Sequence, residues 1–135
     1  MKVKSIIYIF SILAIIIYFI FYYKGQFCFK IEDNNCTKKE FYFDSNSERV
    51  YSMDIRIKGN ISSDSIVVNL NNYNIDYKKY QNDLSFKFHK GEIDTILIDN
   101  DWYNDKGQIE YLPFSNKGIC NNELKIKIKL HKTII

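Results

Sequence analysis

The chain has 135 residues, 46% of them hydrophobic and 26% charged, with a formal net charge of +3. That length suits one domain around a single core, and one proline with five glycines excludes a low-complexity stalk. Two of the 19 basic residues, Lys2 and Lys4, precede the first apolar run, which leaves 17 bases against 16 acids in residues 24–135. So even a balance argues against the concentrated basic face that a nucleic-acid partner needs.

Residues 5–23, SIIYIFSILAIIIYFIFYY, form an unbroken apolar run flanked by Lys2, Lys4 and Lys24. As a helix rising about 1.5 Å per residue, this run nearly matches the ~30 Å hydrocarbon core of a bilayer. Tyr8 near one end and Phe21, Tyr22 and Tyr23 at the other suit the headgroup layer. The run exceeds the apolar core of a signal peptide, about 7–15 residues, and no small-x-small cleavage site follows it. Gly25, Gln26 and Phe27 before Cys28 lack the pattern of a lipoprotein site. Residues 1–23 are therefore predicted to be an uncleaved signal-anchor, with the lipid bilayer as partner of residues 5–23. The short lysine-bearing tail places the N-terminus inside and the remaining domain outside the cytoplasm.

Residues 24–40, KGQFCFKIEDNNCTKKE, read as a linker broken by charges and Asn-Asn. The three cysteines are Cys28, Cys36 and Cys120. A disulfide between Cys36 and Cys120 would tie the start of the domain to its last loop. One between Cys28 and Cys36 would close only a short loop, and the sequence does not choose between them.

From residue 41 onward the pattern is that of strands. Residues 50–58, VYSMDIRIK, alternate, with Met53, Ile55 and Ile57 on one side. Turn residues at 59–60 and 62–64 separate them from SIVVNL at 65–70, and residues 74–77 suit a further short strand. LSFKFH at 84–89 places Leu84, Phe86 and Phe88 inward, Lys90-Gly91 ends it, and DTILI at 94–98 follows. Residues 101–103 and 108–113 flank Asn104-Asp105-Lys106-Gly107, a hairpin signal. LKIKIKLH at 124–131 alternates throughout, with Ile126, Ile128 and Leu130 on one face and Lys125, Lys127 and Lys129 on the other. Seven or eight short strands predict an antiparallel β-sandwich over residues 41–135, immunoglobulin-like, with a small β-barrel as the alternative.

Chemistry concentrates in residues 99–105. Asp99, Asp101 and Asp105, with Glu110 further on, have the rough spacing of a calcium loop, although Asn104 stands where glycine belongs. Trp102 and Tyr103 offer an aromatic surface for a sugar or a protein partner, provided that they stay accessible. No catalytic residues, cofactor or metal are expected, since the chain has no Gly-x-Ser-x-Gly elbow, phosphate loop, HExxH, CxxC or CxxH. The sequence therefore reads as a single-pass, extracytoplasmic, non-enzymatic β domain that binds another protein, either an envelope accessory or an immunity-type protein. The alternative is a sugar- or calcium-binding module centred on Asp99–Asp105.

Overall fold

The computed structural model describes residues 2–23, 25–46, 50–99 and 101–132. Among these residues one helix, α1 (Lys2–Tyr23), precedes six strands: β1 (Gln26–Asp33), β2 (Lys39–Asp44), β3 (Val50–Asn74), β4 (Lys79–Asp99), β5 (Lys106–Phe114) and β6 (Asn122–Lys132). Side chains of α1 are described from Ser5 to Ile20, and the basic and aromatic anchors expected at residues 2, 4 and 21–24 lie outside that stretch. The apolar side chains of α1 stand 46% exposed at Ile17 to 71% at Tyr8, so the β domain does not cover them. Within the described residues alone, no helix is long and apolar enough to cross a membrane.

All six strands belong to one antiparallel sheet, ordered β1-β6-β3-β5-β2, with β4 along the other side of β3. The sheet folds over and nearly closes into a barrel. This corrects the immunoglobulin-like sandwich of seven or eight strands and lies nearer the barrel alternative. Residues read as separate strands are halves of two long ones. In β3, residues 50–60 pair with β6, and residues 65–72 pair with β5. Strand β4 follows β3 along both halves. Residues 59–60, read as a turn, continue β3, and the register shift at residues 61–65 is where the strand changes neighbours. Turn-forming residues in mid-strand are what such a bulge uses.

The bulge is secured by a buried polar cluster. Asn122 Oδ1 accepts the backbone N–H groups of Ser62 (2.8 Å) and Ser63 (3.1 Å). Its Nδ2 donates to Ser63 Oγ (2.9 Å) and to Tyr111 Oη (2.7 Å). The Tyr111 hydroxyl in turn donates to the buried Asp33 carboxylate at 2.8 Å. Asp33 also accepts the N–H groups of Asn35 and Thr37, which fixes the β1–β2 turn. Burial pushes the Tyr111 phenol far above its ordinary range; the Asn122 bond opposes this and Asp33 adds to it. The cluster satisfies backbone groups that the bulge would otherwise leave buried and unpaired.

The linker reading of residues 24–40 is corrected as well, since residues 26–33 pair with β6 as an edge strand. Phe27, Phe29 and Ile31 do alternate with Gln26, Cys28 and Lys30 there. The inward Asp33 and the neighbouring charges hid the period. Phe27 and Phe29 pack on Phe43 and Phe41 of β2, with ring centroids 5.4 and 5.2 Å apart. Met53, Ile55, Ile57, Ile126, Ile128 and Leu130 are buried, as their alternation requires. Cys36 is joined to Cys120, and Cys28 is free and exposed.

Gly59 lies between β6 and β4, and a Cβ there would sit 1.9 Å from the Glu123 carbonyl oxygen. Backbone, not a flexible side chain, blocks that space. Gly59→Ala is expected to lower stability by about 3 kcal/mol or more, a melting point roughly 10 °C lower. A thermal melt matching the parent would show that β3 and β6 separate freely at this point.

Candidate functional site

The residues singled out in the sequence do not form one surface. Trp102 is fully buried, packs against Phe43 at 6.2 Å between centroids, and donates its indole N–H to the Asn104 carbonyl. It is a core residue, which removes it from any binding surface. Tyr103 beside it is 68% exposed. Residues 101–103 are not a strand, and the expected 101–113 hairpin is absent. They belong to the crossing between β4 and β5, strands that lie on opposite sides of β3.

The calcium reading also meets occupied oxygens. Asp99 Oδ1 accepts the Asp101 N–H (2.9 Å), Asn104 Oδ1 accepts the Lys106 N–H (3.1 Å), and the Asp105 carbonyl accepts the Ser45 N–H (3.0 Å). Glu110 lies along β5 and takes Asn69 and Lys38 at 2.9 and 2.8 Å. The Lys38 bond, then the Asn69 bond, holds its carboxyl below the usual range. Among the described residues no group of three or more His, Cys, Asp or Glu gathers to hold a metal ion.

What the fold brings together instead is a polar-aromatic face across β2, β5, β3 and β4. Gln108 Nε2 donates to Tyr42 Oη (3.1 Å), Asn71 Nδ2 to Gln108 Oε1 (2.8 Å), and Asn82 Nδ2 to Asn71 Oδ1 (3.1 Å). A second row links Lys38, Glu110, Asn69 and Ser85, ending with the Ser85 hydroxyl donating to Asn69 Oδ1 at 2.7 Å. Tyr42 on β2 and Tyr80 on β4 are separated by two strands, each step ~4.8 Å. Their ring centroids are nonetheless 5.3 Å apart, so the two rings lean over the row between them. Gln108 and Asn71 are buried as a result. Tyr73 adds a third ring, edge-on to Tyr80 at 5.1 Å, with Lys106 Nζ 5.6 Å from its centroid. Burial pushes the Tyr80 phenol up.

Beyond Tyr73, at the β3–β4 turn, lies a cavity of about 520 Å³. Its amides are Asn72, Asn74, Gln81, Asn82 and Asn104, and its carboxylates are Asp76 and Asp83. Burial, then the facing Asp99 carboxylate, pushes the Asp83 carboxyl up. Among the described residues of the expected 99–105 site, only Asn104 reaches this cavity, its Nδ2 donating to the Tyr73 carbonyl at 2.7 Å. The sequence did carry a signal. NNYN at 71–74 and YQND at 80–83 are amide-and-tyrosine runs mirrored about one turn. It was masked by the abundance of asparagine throughout the chain.

No family model matches the chain, and no curated protein matches it in sequence. Its fold is similar to that of a carbohydrate-binding module specific for non-crystalline cellulose. That match has 6% identity and a TM-score of 0.50, over 79% of this chain and 73% of the other. It also resembles a mitogen derived from Yersinia pseudotuberculosis, with 9% identity and a TM-score of 0.49 over 82% and 89% of the two chains. A periplasmic inhibitor of g-type lysozyme from Aeromonas hydrophila is similar at 10% identity and a TM-score of 0.48, over 79% and 87%. At these identities the likeness is one of fold alone.

Proposed function

We propose that this protein is a non-catalytic binding domain tethered to a membrane by α1, with the β domain outside the cytoplasm and another protein as its partner. The observation that carries the tether is the exposure of the apolar side chains of α1 from Ile6 to Ile20. Left in water, thirteen large apolar side chains from Ile6 to Ile20 would cost far more than a small domain's net stability. The 22 residues of α1 span about 33 Å as a helix, and the continuous apolar run 5–23 of the sequence supplies the apolar length that the described side chains alone do not. The Cys36–Cys120 disulfide supports an oxidising compartment for the β domain.

Support for a protein partner comes from β4. Its 21 residues pair with β3 on one side only among the described residues, which leaves a long free edge. Ile96 and Ile98 on its outward face are 63% and 66% exposed. A free edge with exposed β-branched residues can accept a partner's strand.

The test uses the intact chain in its own cells. The protein should stay with membranes through carbonate extraction, and protease added from outside should remove the β domain. A photo-crosslinker at position 98 should capture a discrete partner, and Ile96→Asp should abolish that product. Release by carbonate, or a mature N-terminus after Tyr23, would overturn the tether. Equal crosslinking from position 98 and from the lysine face at position 125 would overturn the edge.

A further inference from the structure

We propose that the cavity at the β3–β4 turn is a binding site for a neutral saccharide, a ligand beyond the protein partner argued above. Charge decides the class first. Asp76 and Asp83 line the cavity and no lysine or arginine does, while Lys106 Nζ lies over the Tyr73 ring at 5.6 Å, so the lining itself favours a neutral ligand over a phosphate, a sulfate or an acidic sugar. Amides then decide the chemistry. Each supplies both donors and an acceptor, the complement of a sugar hydroxyl, which also does both.

These amides are held in place before any ligand arrives. Asn74 Oδ1 accepts the Tyr77 N–H at 3.1 Å, and Asn74 Nδ2 donates to Gln81 Oε1 at 3.3 Å. Asn104 and Asn82 are fixed by the bonds to Tyr73 and Asn71 already described. A preorganised set loses little side-chain freedom on binding.

One acceptor is left over. Asn72 Oδ1 is buried without a hydrogen-bond donor among the described residues. An orphaned buried acceptor is costly, and a turn of the Asn72 amide toward the cavity on binding would let a ligand hydroxyl donate to it and relieve that cost. Tyr73 also borders the cavity, where its carbonyl holds Asn104, while its ring packs edge-on against Tyr80 on the face of β3 opposite Asn72. The volume of about 520 Å³ falls within the usual range of small-ligand sites and accommodates one or two sugar rings.

The experiment uses the intact, fluorescently labelled protein in detergent micelles on an array of neutral, amino, sialylated and sulfated oligosaccharides. Hits are followed by calorimetry with the soluble oligosaccharide. Neutral oligosaccharides are expected to bind. Asn72→Ala and Gln81→Ala are each expected to weaken binding about tenfold, with melting curves close to the parent's for the exposed Gln81. Lys125→Ala on the far strand should bind as the parent does. The proposal is overturned by binding to no neutral oligosaccharide or to acidic ones only. It is also overturned if Gln81→Ala folds and binds as the parent does. Stabilisation by calcium chloride, reversed by a chelator, without saccharide binding would make the cavity a cation site instead. None of these outcomes touches the membrane tether, which is read by extraction and protease.

Discussion

Ile128→Asp is expected to abolish the folded β domain, while Lys127→Asp leaves it standing. Ile128 is buried on β6, paired with Ile55 on one side and Phe27 on the other. A carboxylate placed there has no partner and costs several kcal/mol, on the order of a small domain's entire stability. Lys127 is exposed on the opposite face of the same strand, beside Arg56 of β3. Reversing its charge changes stability by less than about 1 kcal/mol, because the face is solvated and a new attraction to Arg56 offsets the lost lysine. Circular dichroism melts of the two variants decide the matter. Equal melting would mean that β6 is not packed on one face and would remove the central strand pair of the fold.

Loss of the disulfide is expected to have the next largest effect. Cys36 and Cys120 lie 84 residues apart. Closing a loop of that length restricts the unfolded chain by roughly 4 kcal/mol. Cys36→Ser with Cys120→Ser should therefore lower the melting temperature by roughly 15 °C, and Cys28→Ser should leave it unchanged. Reduction of the parent should reproduce the double variant. A fall with Cys28→Ser equal to that of the pair would mean that Cys28 takes part in the bridge, the alternative that sequence alone left open.

A consequence for any shortened form follows from β1. A fragment beginning at residue 38 would lack residues 26–33, and with them Phe27, Phe29 and the Asp33 carboxylate that Tyr111 engages. The edge of β6 would be bared and the buried cluster left without its acceptor. The folded unit therefore begins with β1, not with the first clean alternation.

Single segments of the sequence determined the parts of this protein that depend on local pattern. The apolar run became α1, and the alternation at 124–131 and 50–58 assigned which face of β6 and β3 is buried. Leu84, Phe86 and Phe88 face inward as their spacing required. These follow from a two-residue or continuous apolar pattern that one element carries by itself. Tertiary structure decided everything that depends on what lies beside a strand. Residues 59–60 and 62–64 look like turns, yet 59–60 continue β3 and 62–64 lie in its bulge, where Asn122, some 60 residues away, supplies the missing hydrogen bonds. Trp102 has the composition of a binding loop around it, but the folded sheet encloses it beside Phe43. The tyrosine and amide face joins β2, β5, β3 and β4, strands distant in sequence and made neighbours by the order of the sheet. Pairing between strands far apart in the chain is set by the global closure of the core, and no local period encodes it.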